Sequence, residues 1–396
     1  MIPYGKQNIT EEDIKVVSEA LKGDFLTQGP KILEFEKAFA AYIGCQYAVA
    51  VSNGTAALHL SALALNVAQG QKVITAPITF AASANCVRYC GGEVVFSDID
   101  EESYLLDIEK VEKLLQASPK GTYQGIIPVD FAGRAVNLEA FRKLADEYGL
   151  WIIEDACHAP GGYFIDSKGA KQNCGNGNYA DLAIFSFHPV KHIATGEGGM
   201  ITTNDEKLYK KIVALRTHGI TREASSFENS VAFAAGQPVP EGESYPGWYM
   251  EMQHLGYNYR FTDFQAALGI SQLSRADEGL ERRRAIAKRY KEAFEGKSYI
   301  KGQSDTIDGH AYHLYVIEVE DRLGLYNYLR THNIFAQIHY IPCHLMPYYR
   351  ALGWKEQDMP LAEQYYKQCI SLPMYPTLTD EEQSFVIDKI ATYFTK

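Results

Sequence analysis

Short apolar runs rich in β-branched residues recur along the first half of the chain, at Tyr47–Val51, Lys72–Ala76, Glu93–Ser97, Gly125–Val129 and Leu150–Glu154. Asp181–Ser186 and Gly199–Thr203 add two more. Between most of them the apolar positions switch to three- and four-residue spacing, which predicts helices over Phe80–Tyr89, Ile108–Gln116 and Leu138–Tyr148. Ser52-Asn53-Gly54-Thr55 turns the first run into an Ala/Leu-rich helix ending near Leu65. Upstream, Thr10 caps a helix reaching Leu21, with Glu11, Glu12 and Asp13 in its first turn. A second helix, Pro30–Ile43, stops at Gly44. Strands alternating with helices predict an α/β fold, a mostly parallel sheet with helices on both faces.

From Thr221 to Trp248 this pattern dissolves into a polar, proline-bearing stretch that reads as an exposed loop. One long helix is then expected from Thr262 to about Phe294, with a break near Gly279. A smaller α/β part follows, with strands at His313–Val319 and Ala336–His339, a helix at Leu323–His332 and a terminal helix from Asp380. The expected division is a large domain over 1–275 and a small C-terminal domain over 276–396. There is no internal repeat and no low-complexity tract.

Composition narrows the partners. The 396 residues are 46% hydrophobic and 22% charged, an ordinary globular balance. A net charge of −11 argues against a nucleic-acid backbone as partner. No segment approaches a membrane span, and the first residues lack the apolar core of a signal peptide. The seven cysteines contain no CxxC pair, so reduced thiols and a cytoplasmic location are expected, with no metal site.

Candidate chemistry centres on Lys191, placed between an apolar run and a glycine-rich turn in IFSFHPVKHIATGEGGMITTN. A desolvated lysine loses its proton more easily, and a neutral amine forms Schiff bases with carbonyls. The bland alternative is a surface lysine on a hairpin. The helix start at Thr55 and Ala56 offers free N–H groups to a phosphate, or is an ordinary capped helix. Asp155 ends an apolar strand, at the rim where open α/β sheets bind ligands. It is a candidate partner for a pyridinium nitrogen, or a helix cap. His158 follows it, and Ser186 and His188 precede Lys191. Ser186 is a further phosphate contact; His188 is a candidate acid or base, or a neighbour tuning Lys191. GxSxG, HExxH and GxxxxGK[ST] are absent.

SNGTAALHL, PITFAASAN, IEDACHAPG, FSFHPVKHIATGEGGM and GYNYRFTDFQAALG occur in that order, with AQIHYIP near residue 340. In content and order they resemble the DegT family of sugar-nucleotide aminotransferases, which are fold type I pyridoxal 5'-phosphate enzymes. The resemblance implies a large domain with a seven-stranded, mostly parallel sheet. It implies that Lys191 carries the cofactor, that Asp155 meets the ring nitrogen, and that Phe80 stacks on the ring. Thr55, Ala56 and Ser186 fall at the phosphate positions. Asn258 falls at the position that reaches the phosphate from a neighbouring subunit, which implies a homodimer with shared sites. His158 departs from the commoner pattern, where glutamine stands, and either side chain reaches the ring oxygen.

Tyr4, the segment Leu26-Thr27-Gln28-Gly29 and the segment Gln337-Ile338-His339-Tyr340 resemble the sugar-facing positions. LTQG with AQIHY and ISLP is most similar to the members serving pseudaminic acid synthesis. That implies amination at C4 of a UDP-linked 4-keto-6-deoxy-N-acetyl-hexosamine, with L-glutamate as donor. Amination of a dTDP-linked keto-deoxysugar at C3 or C4 is the alternative. A C3-dehydratase of the family carries histidine in place of Lys191, and a non-catalytic sensor has no use for that lysine. Arg216, His218 and Arg222 offer charge to a diphosphate, against the plainer reading of solvated surface residues.

Overall fold

In the computed structural model, which describes residues 1–302 and 308–395, seven strands form the central sheet. They are β1 (Tyr47–Val51), β2 (Lys72–Thr75), β3 (Glu93–Phe96), β4 (Tyr123–Ile127), β5 (Trp151–Asp155), β6 (Leu182–Ser186) and β7 (Gly199–Thr203). Their spatial order is β1-β7-β6-β5-β4-β2-β3. β7 runs antiparallel to both neighbours, and the remaining pairs are parallel. The runs are continuously apolar because helices cover both faces of the sheet. Ile152, Ile153, Leu182 and Ile184 are fully buried.

One face packs against the helices Gly54–Ala64, Ala82–Tyr89, Ile108–Gln116 and Leu138–Tyr148. The other is sealed by an aromatic cluster. Phe35 and Phe39, from the helix Pro30–Ile43, meet Phe187 at 5.3 Å and Phe185 at 4.9 Å between ring centroids.

The long helix expected from Thr262 is two helices, Asp263–Leu273 and Ala276–Phe294. The break lies at Ser274–Arg275 and not at Gly279, which continues the second helix. Arg275 leaves helical geometry and its guanidinium reaches Asp13 at 2.7 Å. Asp13 is fully buried, and its carboxylate also accepts Ser271 Oγ at 2.6 Å and Gln272 Nε2 at 2.9 Å. This side chain helps fasten the first helix, Glu11–Lys22, to the helix Asp263–Leu273 packed along it.

The smaller part has an antiparallel sheet of Lys301–Gly302, Tyr315–Glu318 and Cys369–Leu372, backed by the helices Arg322–Thr331 and Asp380–Phe394. Its core holds Tyr290, Leu325, Leu329, Ile370, Val386 and Ile390. The strand expected at Ala336–His339 lies earlier, at Ile334–Phe335, and pairs in parallel with Ile2–Pro3. Beyond it Gln337 keeps a single antiparallel pairing to Ser371, and its side-chain oxygen accepts the Ile338 N–H at 3.0 Å. That local bond competes with the ladder and turns the chain.

The segment expected as an exposed loop over 221–248 has structure of its own. Ile220–Thr221 pairs with Glu251–Met252 to form a stem, and Val231–Ala235 is a short helix. Glu251 is the hub: its carboxylate accepts the N–H groups of Glu228 at 2.8 Å and Asn229 at 2.9 Å, and Tyr249 Oη at 2.8 Å. Burial alone would raise its pKa, but these donors outweigh it and hold the group down at about 2. Among the described residues no helix is long and apolar enough to cross a membrane, and all seven cysteines are free.

Candidate active site

The carboxyl ends of β5 and β6 and the start of the helix Gly54–Ala64 converge on one crevice. β5 ends at Asp155, which is 5% exposed. Its Oδ2 accepts Ser83 Oγ at 2.6 Å, and its Oδ1 accepts the Cys157 N–H at 3.2 Å. These bonds fix the carboxylate at the strand rim, as a partner for a ring nitrogen requires. Its neighbour Glu154 points to the opposite face, buried beside Asp130 and Cys174. Burial raises both of those carboxyls above the usual range, and the charge of Asp130 adds to the shift of Glu154.

Lys191 lies in the turn joining β6 to β7, where its N–H bonds the His188 carbonyl at 2.8 Å. Thr195 and Gly198 close that turn on Phe187 through backbone bonds of 2.9 Å and 2.8 Å. Lys191 is half-buried, and desolvation lowers the pKa of its amine; Cys157 and Asp155 oppose that without cancelling it. A lysine more readily neutral at the end of a crevice is what Schiff-base chemistry needs.

The helix start sits directly on Ser186. A Cβ added at Gly54 would stand 3.0 Å from Ser186 Cβ, and one at Gly199 would stand 2.5 Å from the Asn53 carbonyl. The contact at Gly54 would be tight with a side chain, and the one at Gly199, against backbone, would be prevented by it. Asn53 Oδ1 accepts the Ala56 N–H at 2.8 Å, so Gly54 and Thr55 supply the open donors of the first turn, beside Ser186 Oγ. Ala56, expected in the phosphate cradle, thus has its N–H engaged by the cap. The cradle, the desolvated lysine and the rim carboxylate fit pyridoxal 5'-phosphate: Thr55 and Ser186 at its phosphate, Asp155 at its ring nitrogen, Lys191 at its aldehyde.

A third wall comes from the 337–340 segment. Tyr340 Oη lies 3.2 Å from His158 Nε2, and the Tyr340 ring is 6.4 Å from that of Phe80. Phe80 is 63% exposed and faces this gap. His339 is buried, bonded through Nδ1 to Ser371 Oγ at 2.9 Å, with Tyr4 against its ring at 5.0 Å. Burial, with Lys191 nearby, pushes the His339 pKa down to about 3. Gln337 and Ile338 are half-buried on the same segment.

Sequence alone overlooked Ser83, which carries no motif and is recognisable only by its bond to Asp155. It also overlooked Ala132 and His313, which pack on His158.

Other expected residues have side chains that are exposed or engaged elsewhere. The His188 side chain is exposed. Leu26, Thr27 and Gln28 are exposed as well, on a segment tied to Asp263 through the Gly29 N–H at 2.8 Å. Asn258 is exposed on a turn whose backbone pairs with Thr217. Arg216 is committed elsewhere, to Glu36 at 2.6 Å and the Ala50 carbonyl at 2.8 Å. His218 and Arg222 are on the surface.

Residues 7–391 match the model of the DegT/DnrJ/EryC1/StrS aminotransferase family. The chain belongs to that family. The spore coat polysaccharide biosynthesis protein SpsC of Bacillus subtilis is 37% identical over 398 residues, covering 98% of this chain and 96% of that one. The UDP-4-amino-4,6-dideoxy-N-acetyl-beta-L-altrosamine transaminase of Campylobacter jejuni is 35% identical over 407 residues, covering 100% and 98%. Among solved structures, the sugar aminotransferase Spr1654 of Streptococcus pneumoniae in its PMP form superposes with a TM-score of 0.86 at 29% identity, covering 99% and 98%. The fold is therefore fold type I, and the protein is a sugar aminotransferase dependent on pyridoxal phosphate.

Proposed function

We propose that this aminotransferase moves the amino group of L-glutamate to C4 of a UDP-linked 4-keto-6-deoxy-N-acetyl-hexosamine. The observation that carries the reading is Lys191 and Asp155 facing one crevice whose far wall is Tyr4, His339 and Tyr340. The name of the Campylobacter jejuni relative, an amino-deoxy-acetyl-hexosamine transaminase, supports the sugar class. Bound pyridoxal phosphate supplies an electron sink for the pair of electrons left when a proton leaves the amino-acid α-carbon. The chain's own residues do the rest. Lys191 Nζ takes and returns that proton, a role its lowered pKa favours. Asp155 keeps the ring nitrogen protonated, and Ser83 keeps Asp155 oriented. Thr55, Gly54 and Ser186 hold the phosphate.

Asn258 is exposed on its own chain, next to Tyr259, whose carbonyl accepts the Ser52 N–H at 2.9 Å. This supports a homodimer in which the neighbouring copy's loop completes each site. SpsC supports a second reading, a different nucleotide or deoxysugar destined for a surface polysaccharide. One assay tests both. Purified protein, glutamate and a panel of UDP- and dTDP-linked 3- and 4-keto sugars are mixed, and the aminated product is identified by mass spectrometry and NMR. A UDP-linked 4-amino product is expected; a dTDP-linked or 3-amino product alone overturns the first reading in favour of the second.

A further inference from the structure

β5 ends in two neighbouring acids whose side chains part to opposite faces of the sheet. Asp155 faces the crevice, and Glu154 turns away from it into the core. There Glu154 meets Asp130, from the loop after β4, and Cys174, from the turn after the strand Lys171–Asn173. Asp130 is 0% exposed, Glu154 1% and Cys174 1%. One side-chain oxygen or sulfur of each lies within 4.8 Å of the other two.

Each carboxyl group has one oxygen satisfied and one not. Asp130 Oδ1 accepts the Val136 N–H at 2.8 Å, and Glu154 Oε2 accepts the Gly175 N–H at 2.9 Å. No described donor reaches Asp130 Oδ2 or Glu154 Oε1. An ionised carboxylate only accepts, so two ionised groups here would hold two unpaired acceptors and two like charges out of water. The backbone keeps both acids in place. The Asp130 N–H donates to the Asp155 carbonyl at 3.0 Å, and the Asp155 N–H to the Pro128 carbonyl at 2.9 Å. Across the core, Thr202 Oγ1 donates to the Gly175 carbonyl at 2.7 Å. Cys174, Cys157 and Asp155 face the pair and bring it no positive charge. Burial, the largest cause, holds both acids protonated to higher pH than ordinary carboxyls and keeps Cys174 a thiol. Structural metal sites close on four ligands, and the described residues bring three here. One hydrogen between the two oxygens satisfies both.

We propose that Asp130 Oδ2 and Glu154 Oε1 hold a single proton between them, and that this proton-binding site clasps the 130–136 loop and the 174–176 turn to the end of β5 until rising pH removes it. Above the ordinary carboxylate range the unfolded chain has lost both protons and the folded chain keeps one. The clasp's contribution is therefore full below that range and is lost as pH rises through the raised value of the folded pair. The pair lies on the face of β5 turned from the crevice, so its test is independent of cofactor and sugar.

The test uses the purified full-length protein. In Glu154→Gln the amide N–H donates to Asp130 Oδ2, and in Asp130→Asn it donates to Glu154 Oε1, so each replaces the shared proton. Relative to Glu154→Gln, the unfolding constant of wild type is expected to rise about tenfold per pH unit above the ordinary carboxylate range, as one extra bound proton requires. A ratio that does not change with pH overturns the proposal. The double variant sets two amide donors against each other. It is expected to raise the unfolding constant by more than the product of the single effects, and a simple product overturns the proposal. Hydrogen exchange of wild type needs no variant. Protection of the Val136 and Gly175 amides, corrected for intrinsic rate, is expected to fall with rising pH before the rest of the sheet opens; protection lost only with global unfolding overturns the clasp. One equivalent of bound metal by elemental analysis, lost in Glu154→Gln, overturns the proton in favour of a cation.

Discussion

Lys191 and Asp155 divide the chemistry between a group made easier to deprotonate and a group locked in place. Removing the amine leaves nothing to hold or move a proton at the α-carbon. Lys191→Ala is expected to abolish both the visible absorption of the lysine-bound cofactor and turnover, checked by absorbance and a glutamate half-reaction. Asp155→Asn keeps the shape and the Ser83 contact but loses the charge opposite the ring nitrogen. Its kcat/KM is expected to fall about 10–100-fold, the worth of one charge-assisted hydrogen bond, in a steady-state assay. These two residues were legible in the sequence because each sits at a fixed place in a strand-turn pattern. Ser83 was not, because its partner lies far along the chain. His158 was legible as a site residue, but its contacts with Ala132 and Tyr340 were not.

At the scale of elements, β7 and the helix Gly54–Ala64 act as one unit, pressed together where Gly199 meets the Asn53 carbonyl. Gly199→Ala forces that contact apart. It is expected to cost about 1–3 kcal/mol in thermal or denaturant unfolding and to weaken cofactor retention on dialysis. The strand and helix pattern of the large sheet was readable because the strand runs are mostly apolar and the helices between them are amphipathic or, like Gly54–Ala64, apolar nearly all round. The break at Ser274–Arg275 was not, since it answers to a buried carboxylate on the first helix and not to a helix-breaking residue. The segment over 221–248 misled for a related reason: its composition is that of a loop, and it is ordered by a short strand stem, an aromatic cluster and the convergence of donors on Glu251. That hub is expected to persist above the ordinary glutamate range and to be lost as pH falls toward about 2, with faster proteolysis of the segment as the readout.

Across the whole molecule, Asp13 joins the first helix to the helix Asp263–Leu273 and Arg275. Burial works to raise its pKa, but Ser271, Thr10 and Arg275 together hold it below the ordinary value. Its contribution is therefore present above about pH 4 and lost as pH falls through the lowered folded value. Asp13→Ala leaves Arg275 without its partner and is expected to cost about 3–5 kcal/mol in urea unfolding at neutral pH. The pairing of Ile2–Pro3 with Ile334–Phe335 has a consequence of timing. What each copy of the chain itself offers the cofactor's phosphate, ring nitrogen and aldehyde lies between Asn53 and Gly199. The wall assigned to the sugar needs the first residues and the 337–340 segment together. As a growing chain leaves the ribosome, the pocket for the cofactor can close first, and selectivity for the sugar is the last property the molecule acquires.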